Sequence, residues 1–520
     1  MDEHRYQIEE ATPFSKSLIW QLNRDYYQNA GVDAWRKGIV PHNLTSNSMV
    51  GKTYAELIFA FLRDLAAKGQ TQEKIYIMEL GAGHGRLAFH ILKHLEAMFE
   101  QTGLSLPPYC YVLSDIVEDN LDFFTHHPQF QSYIEQGQLD VAYFDAIQSN
   151  EILLRHSKVR ILPEGLQQPL LVIANYFFDS IPTDLFHFKN RVLSECSVKL
   201  ETTENPAGAD ESTLLKKLKL DFQETPVVPP FYKEVIFNEI LEDYRDLVFN
   251  THLFFPYDGL NCISKLAKLS QKGLVIISMD KGFHEIHDLE NRGLPEIITH
   301  GSFSLWVNYH ALGSFCKKSG GRTLFPTSAN FYSELACFLF LPEGKSYTET
   351  EAAYQRFVND FGPDDFNGIK KMSYKYIGSM SIKELIAILR MSAYDSSLFV
   401  KFLPQLKHLS NRISSTERKR LAQTMHQTWK MYFTLIESFD LAYEIGGIFY
   451  DLGFYQEALE YFQFSVNQFG QQADVFYNQA LCYYQLREDE LFLKTLVKAK
   501  ALFPTYERFG YLDTLDLEAD

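Results

Sequence analysis

The stretch "YIMELGAGHGRLAFHIL", residues 76–92, sets Gly81, Gly83 and Gly85 at alternate positions between an apolar run and an amphipathic one. An acid, Glu79, stands two residues before the first glycine. The apolar run predicts a buried strand, and "GRLAFHILKHLEAMF" predicts a helix. The glycines therefore cross from strand to helix, where a missing Cβ permits positive φ and lets another group lie against the backbone. Such a turn grips a ligand, or it is a glycine turn that binds nothing.

Outward from this turn, "YCYVLSD", "LDVAYFDA", "PLLVIANYFFD" and "KGLVIISMD" read as further buried strands. Strand and helix alternate, which predicts an α/β fold with a doubly wound, Rossmann-like parallel sheet. Residues 1–70 read as a helical lead-in that helps close the ligand site, its helix "TYAELIFAFLRDLAAKG" stopped by Gly69. The sheet domain is expected over 71–342, with an insertion at about 183–260. That insertion holds a strand pair, "FHFKNRVLSECSVKLE", turning near Lys189-Asn190, then a polar loop "ETTENPAGADEST" and a helix "FYKEVIFNEILEDYRDLVF".

Beyond residue 342 the strand signal fades, and 343–520 reads as helical. Two units within it align at a fixed offset. Gly446 and Tyr450 of the first correspond to Ala480 and Tyr484 of the second, a shift of 34 residues. Gly453, Tyr455, Ala458 and Phe462 complete the first unit; Ala499 and Pro504 end the second. The period resembles that of tetratricopeptide repeats, and the resemblance covers about 441–508. Small residues let paired helices approach; tyrosines fill between them.

The chain of 520 residues is too long for one ordinary core, so two or three domains are expected. Its formal charge of −17 repels phosphate backbones and argues against nucleic acid as a partner. The six cysteines (Cys110, Cys196, Cys262, Cys316, Cys337, Cys482) lie far apart without a CxxC, the usage of reduced thiols in a cytoplasmic protein. The acidic start lacks a basic, apolar leader, and no stretch is apolar over a membrane span.

Three ligands compete for the glycine turn. A phosphate-binding loop would need GxxxxGK[ST], which is absent here. A dinucleotide fingerprint would put its third small residue at Arg86, too large for close helix packing. The form E-x-G-x-G-x-G resembles that of class I methyltransferases, whose cofactor S-adenosylmethionine (SAM) carries an amino group and a sulfonium. An acid before the glycines suits those cations. Asp115, ending the second strand, is placed to accept ribose hydroxyls or to start a helix. By the same resemblance Asp145 would meet the adenine amino group, Ala146 would lie near the ring, and Gly81, Ala82, Gly83 and Gly85 would line the cofactor.

The fourth strand ends in "ANYFFDSIPTDLFHF", with Asn175, Asp179 and Pro182. This N-x-x-x-D-x-x-P string resembles the MidA-like methyltransferase family. That family includes the mitochondrial complex I assembly-factor type, regarded as a protein-arginine methyltransferase. "TSNSMVGKTYAELI", with Thr45 and Glu56, is similar to that family's segment ahead of the first strand, which implies a cofactor contact from Thr45. Tyr176 stands where the family carries an acid, and His84 where it carries a small residue. The likeness spans roughly residues 14–340 and leaves out the helical C-terminus.

The resemblance implies a SAM-dependent methyltransferase acting on a protein side-chain nitrogen. Asp179 is the leading residue to orient the nucleophile, Asn175 to fix the loop or cofactor, and Asp184 an alternate acid. For Asp179 a cap on a helix begun by "SIPTDLF" is the competing role. The base-clamping string [DNS]PP[YFW] is missing from this strand end, which argues against DNA as acceptor. The repeats are expected to recruit a protein partner or substrate. The other reading of the whole is an adaptor that keeps the fold without turnover.

Overall fold

The computed structural model describes residues 5–36, 45–295, 298–300, 302–327, 332–342, 347–435 and 439–515, without the side chains of 298–300. Residues 1–4 of the acidic start lie outside the described residues, as does the first residue past the expected boundary at 342. The chain divides into two units, Met1–Asn367 and Gly368–Asp520.

The first unit opens with strand β1 (Tyr6–Pro13), then α1 (Leu18–Ala30), α2 (Asp33–Arg36) and α3 (Ser48–Ala67). The lead-in is therefore not wholly helical.

The glycine turn joins β2 (Ile75–Glu79) to α4 (Arg86–Gln101). β3 (Tyr109–Asp115), α5 (Glu118–His126), β4 (Leu139–Tyr143) and β5 (Leu170–Asn175) follow. A second sheet then intervenes, made by β6 (Asp184–Lys189), β7 (Val192–Thr202), β8 (Leu218–Pro226), α6 (Val235–Leu247) and β9 (Asn250–Phe255). The main sheet resumes with α7 (Tyr257–Ala267), β10 (Leu274–Asp280), α8 (Tyr309–Lys318), β11 (Arg322–Leu324) and β12 (Glu334–Phe340).

The main sheet has seven strands in the order β11-β12-β10-β5-β2-β3-β4. β4, β3, β2, β5 and β10 run parallel, and β12 runs antiparallel to both its neighbours. Strands buried on both faces need apolar side chains throughout, hence the continuous runs read from the sequence. From β2 the chain winds outward to β3 and β4, then returns to β5 on the opposite side. The reversal leaves a crevice at the carboxyl ends of β2 and β5, where open α/β sheets bind ligands.

In the second sheet β6 and β7 form the expected hairpin, with Asn190 and Arg191 both at positive φ, as a tight two-residue turn requires. β6 pairs only with Val192–Glu195 of β7, leaving the edge from Ser197 to Thr202 open; β1 fills it. β8 covers the other edge of β7, and β9 pairs with β6. After β12, a short helix (Thr348–Tyr354) returns to α3. Asp64 of α3 accepts the N–H groups of Glu349 and Thr350 and the Thr350 hydroxyl, so one carboxylate caps that helix.

The second unit is helical. α9 (Ile382–Met391), α10 (Ser396–Ser410) and α11 (Ser415–Lys430) precede two helix pairs, α12 (Leu441–Asp451) with α13 (Tyr455–Phe469) and α14 (Ala473–Gln485) with α15 (Asp489–Leu502). Gly446 is the contact point of the first pair: a Cβ there would stand 2.8 Å from the Phe462 ring. Ala480 fills the equivalent place in the second pair and is fully buried.

Candidate active site

Four of the five parallel strands end in an acid or amide: Glu79 on β2, Asp115 on β3, Asn175 on β5 and Asp280 on β10. Above them lies a cavity of about 410 Å³. Thr45, Glu79, Gly81, Ala82, Gly83, Asp115, Asp145, Ala146, Asn175 and Asp179 all line it. That volume falls in the usual range for a small-ligand site, about 300–1,000 Å³.

The glycine turn runs with Gly81, Gly83 and Gly85 at φ of +60°, +60° and +75°. Asp115 holds it in place. Its Oδ2 accepts the Gly83 N–H at 2.9 Å and its Oδ1 accepts the Val117 N–H at 2.9 Å. Val117, not Asp115, is the residue preceding α5. Gly85 has a different office from the other two glycines. It does not line the cavity, and a Cβ there would meet the Phe124 and Phe130 rings at 3.2 Å, so its smallness serves the packing of α5.

Glu79 is buried at the cavity floor and accepts a hydrogen bond from the Tyr111 hydroxyl at 2.7 Å. Burial raises its carboxyl to about 8, against the lowering effect of Tyr111. A carboxyl so placed is neutral near pH 7 until a cation is set beside it. Asp145 behaves in the opposite way. Burial pushes it up, but the Arg24 side chain and the Ile147 and Gln148 N–H groups outweigh that and hold it below the ordinary range. Its Oδ2 is 2.7 Å from Arg24 Nη2, an ion pair from α1 that the sequence did not suggest.

Asn175 bridges rather than projects: its Oδ1 accepts from the Tyr54 hydroxyl at 3.3 Å, and its Nδ2 donates to the Thr45 carbonyl at 3.2 Å. Glu56, on α3, is half-buried and does not line the cavity. His84 is buried in the turn, lines the cavity and meets the Trp35 ring edge-on at 5.5 Å.

Asp179 lies in the loop between β5 and β6. No helix starts at "SIPTDLF", because Asp184 opens β6 directly, so Asp179 caps nothing. Its Oδ1 accepts from Ser180 Oγ at 2.8 Å, and its N–H donates to Asp280 Oδ2 at 3.3 Å. Burial raises Asp179 to about 6, opposed by Ser180 and Lys281. Burial, then the charge of Asp179, raises Asp280 well above the carboxylate range. The two acids thus hold a proton between them at neutral pH. Asp184, the alternate acid, is bound by the Ser15 hydroxyl and by the Tyr232 hydroxyl, and it does not line the cavity.

Sequence reasoning missed the wall facing these strand ends. Arg24 and Tyr27 of α1 and Trp35 of α2 line the cavity, with Tyr27 stacked on Trp35 at 5.7 Å. It also missed Asp280, whose only sequence signal is an acid closing a buried strand.

Residues 57–288, which carry β2 through β10, match the family model described as "Putative S-adenosyl-L-methionine-dependent methyltransferase". This part of the chain is a SAM-dependent methyltransferase. Its cofactor is S-adenosylmethionine. No curated protein matches the chain. Among solved structures, the chain is similar to a Burkholderia thailandensis protein bound to S-adenosyl-homocysteine, at 15% identity and TM-score 0.42, covering 66% of this chain and 91% of that one. A native structure of an uncharacterized protein from the same organism gives 14% identity and TM-score 0.41, over 65% and 90%. Magnesium protoporphyrin IX methyltransferase from Synechocystis, with bound SAH, gives 13% and TM-score 0.27, over 62% and 99%.

The residues present fit the methyltransferase cofactor. Gly81 and Gly83 line the cavity at positive φ, with the Phe177 and Trp35 rings against them, and a buried neutral acid waits at its floor for a cation. When bound, SAM supplies a methyl group activated by its sulfonium.

Proposed function

We propose that this methyltransferase acts on a side-chain nitrogen of a protein, arginine by its family resemblance, and that the helical repeats recruit the substrate. One observation carries the reading: a buried acid, Asp179, lines the cavity beside Tyr176 and Lys281, its backbone N–H bonded to a second buried acid, Asp280, behind it. Methyl transfer asks the protein chiefly for alignment and exclusion of water. A nitrogen nucleophile must also shed a proton, and an acid titrating near 6 is a carboxylate at neutral pH, able to orient and receive it. Asp179 supplies the carboxylate that Tyr176 does not, and Asp280 behind it keeps the proton the pair holds. With Glu79, Asp115 and Asp145 turned to the cofactor, Asp179 is the lining acid left for the acceptor, beside Lys281.

In this reading Glu79 faces the amino end of the cofactor, Asp115 the ribose, and Asp145 with Ala146 the adenine. Asn175 sets the height of Thr45 through its bond to the Thr45 carbonyl. The repeats contribute a groove lined by Gln456, Glu457 and Glu460 of α13 and by Tyr483 and Glu488. Its acidic rim suits a basic peptide segment. Six free, buried cysteines support a reducing compartment, the cytoplasm. No helix among the described residues is long and apolar enough to cross a membrane.

The deciding experiment is transfer of labelled methyl from SAM into a fractionated lysate, with Gly83→Leu as the inactive control and acid hydrolysis of the labelled band. Methylarginine is the expected product. Methyl-lysine, or label only in small molecules, refutes the arginine assignment. Charge reversal at Glu457 and Glu460 should raise KM for the protein acceptor while leaving SAM affinity unchanged.

A further inference from the structure

The second sheet carries a cluster that methyl transfer does not use. His187 on β6, Glu224 on β8 and His252 on β9 each offer one ligand atom, and these atoms lie within 4.8 Å of one another. His187 and His252 are directly paired across β6 and β9, and their rings stack at 4.1 Å and 8°. His187 Nδ1 is 2.7 Å from Glu224 Oε2, and His252 Nε2 is 3.2 Å from Glu224 Oε1. None of the three lines the cofactor cavity.

The protons decide what the cluster is for. The Arg292 carbonyl lies 3.2 Å from His252 Nδ1 and can only accept, so Nδ1 carries the proton. A neutral His252 then aims the bare Nε2 lone pair at a carboxylate oxygen. The Asn250 side-chain oxygen stands 3.0 Å from His187 Nε2 and repeats the arrangement on the other ring. With both rings neutral and their outer nitrogens protonated, lone pairs face lone pairs; with both rings charged, two stacked imidazolium rings repel. A cation among the three atoms removes both conflicts. The outer N–H of each ring held by an oxygen is the arrangement that fixes metal-binding histidines.

The geometry points to a divalent transition-metal site, zinc by its ligands, made of His187 Nδ1, His252 Nε2 and one Glu224 oxygen. Ligand atoms about 2.0–2.1 Å from zinc at tetrahedral angles stand about 3.3 Å apart, within reach of the present spacing; to bring both in-plane lone pairs onto one ion, the two rings rotate out of their parallel stack. Water takes the fourth position. The ion clasps β8, an edge strand exposed along its final residues Glu224–Pro226, to β6 and β9 across the intervening β7. Imidazole ligands select zinc, and its neighbours in the first transition row, over magnesium or calcium.

The full-length chain, stripped with a chelator, is titrated with Zn²⁺ in a calorimeter and with Co²⁺ in a spectrophotometer. One equivalent of Zn²⁺ is expected, with a four-coordinate Co²⁺ spectrum, no response to Mg²⁺, and slower amide exchange along β8. His252→Gln and Glu224→Gln should each weaken Zn²⁺ by at least about 100-fold, with SAM affinity retained as the check on folding. Absence of stoichiometric binding, a six-coordinate Co²⁺ spectrum, or variants that bind as the wild type does would overturn the site. The cobalt spectrum of the wild type decides even if a variant fails to fold.

Discussion

The backbone N–H of Gly83 donates to Asp115 Oδ2, so the turn after β2 is tied to the end of β3 by one carboxylate. The same carboxylate holds the Val117 N–H, and the carboxylate is buried. Its removal therefore unfastens the cofactor cradle and strands two backbone donors.

Asp115→Ala should cost about 1–3 kcal/mol for each buried donor left unpaired, seen as a lower urea midpoint. SAM affinity, measured by calorimetry, should drop further than the stability loss alone accounts for. Asp115→Asn keeps one acceptor oxygen and should fall between the two. Unaltered SAM binding in the alanine variant would refute the cradle.

At Gly83 the constraint is double. An added Cβ would lie 2.9 Å from Trp35 Cζ2, and φ is +60°. Gly83→Ala pays about 1–2 kcal/mol for the left-handed backbone as well as the contact. Pairing it with Trp35→Ala should recover the contact part alone, a coupling that a double-mutant cycle resolves. Gly83→Leu should abolish the heat of SAM binding.

The pH dependence follows from Glu79 and Asp179, both raised by burial, to about 8 and about 6. Their unfolded counterparts release protons first, near 4.5 and 3.8. From there upward the folded chain holds more protons, so stability falls as pH rises, up to about 6 for Asp179 and about 8 for Glu79. Thermal melts from pH 5 to 9 should show the decline, and Glu79→Gln should flatten its upper part. A cation beside Glu79 expels its proton. SAM binding near pH 7 should thus release protons, measured as a dependence of the calorimetric heat on the buffer's ionisation enthalpy, and Glu79→Gln should lose that release.

Asp179→Asn should lower kcat by about 10²–10⁴-fold while SAM affinity stays within a few-fold. In the wild type, kcat/KM should rise with pH through about 6, where Asp179 ionises. Equal losses in SAM binding and turnover would make Asp179 a structural residue only.

The strands and the glycine turn were legible because burial on both faces leaves no choice of side chain, and because alternate glycines have few other uses. The hairpin of β6 and β7 was legible too, one residue off at its turn. β1 was not, since "YQIEEATP" is acidic and only partly buried; its conformation comes from an open edge nearly two hundred residues away, on β7. Arg24, Tyr27 and Trp35 were hidden for a similar reason. Helical spacing tells which face is apolar, not which strand end that face will cover. Asp280 becomes meaningful only when β10 is known to lie beside β5, which brings it to Asp179.

The cap that Asp64 gives to the helix Thr348–Tyr354 bears on where the catalytic unit can be cut. Asp64 is buried, and all three of its donors come from Glu349 and Thr350. A protein trimmed at residue 342, where the strand pattern ends, would keep every strand of the main sheet and still lose the groups that satisfy this carboxylate. Trimming after Asn367 keeps them. The sheet's last strand is thus not the last thing the enzyme needs to stand alone.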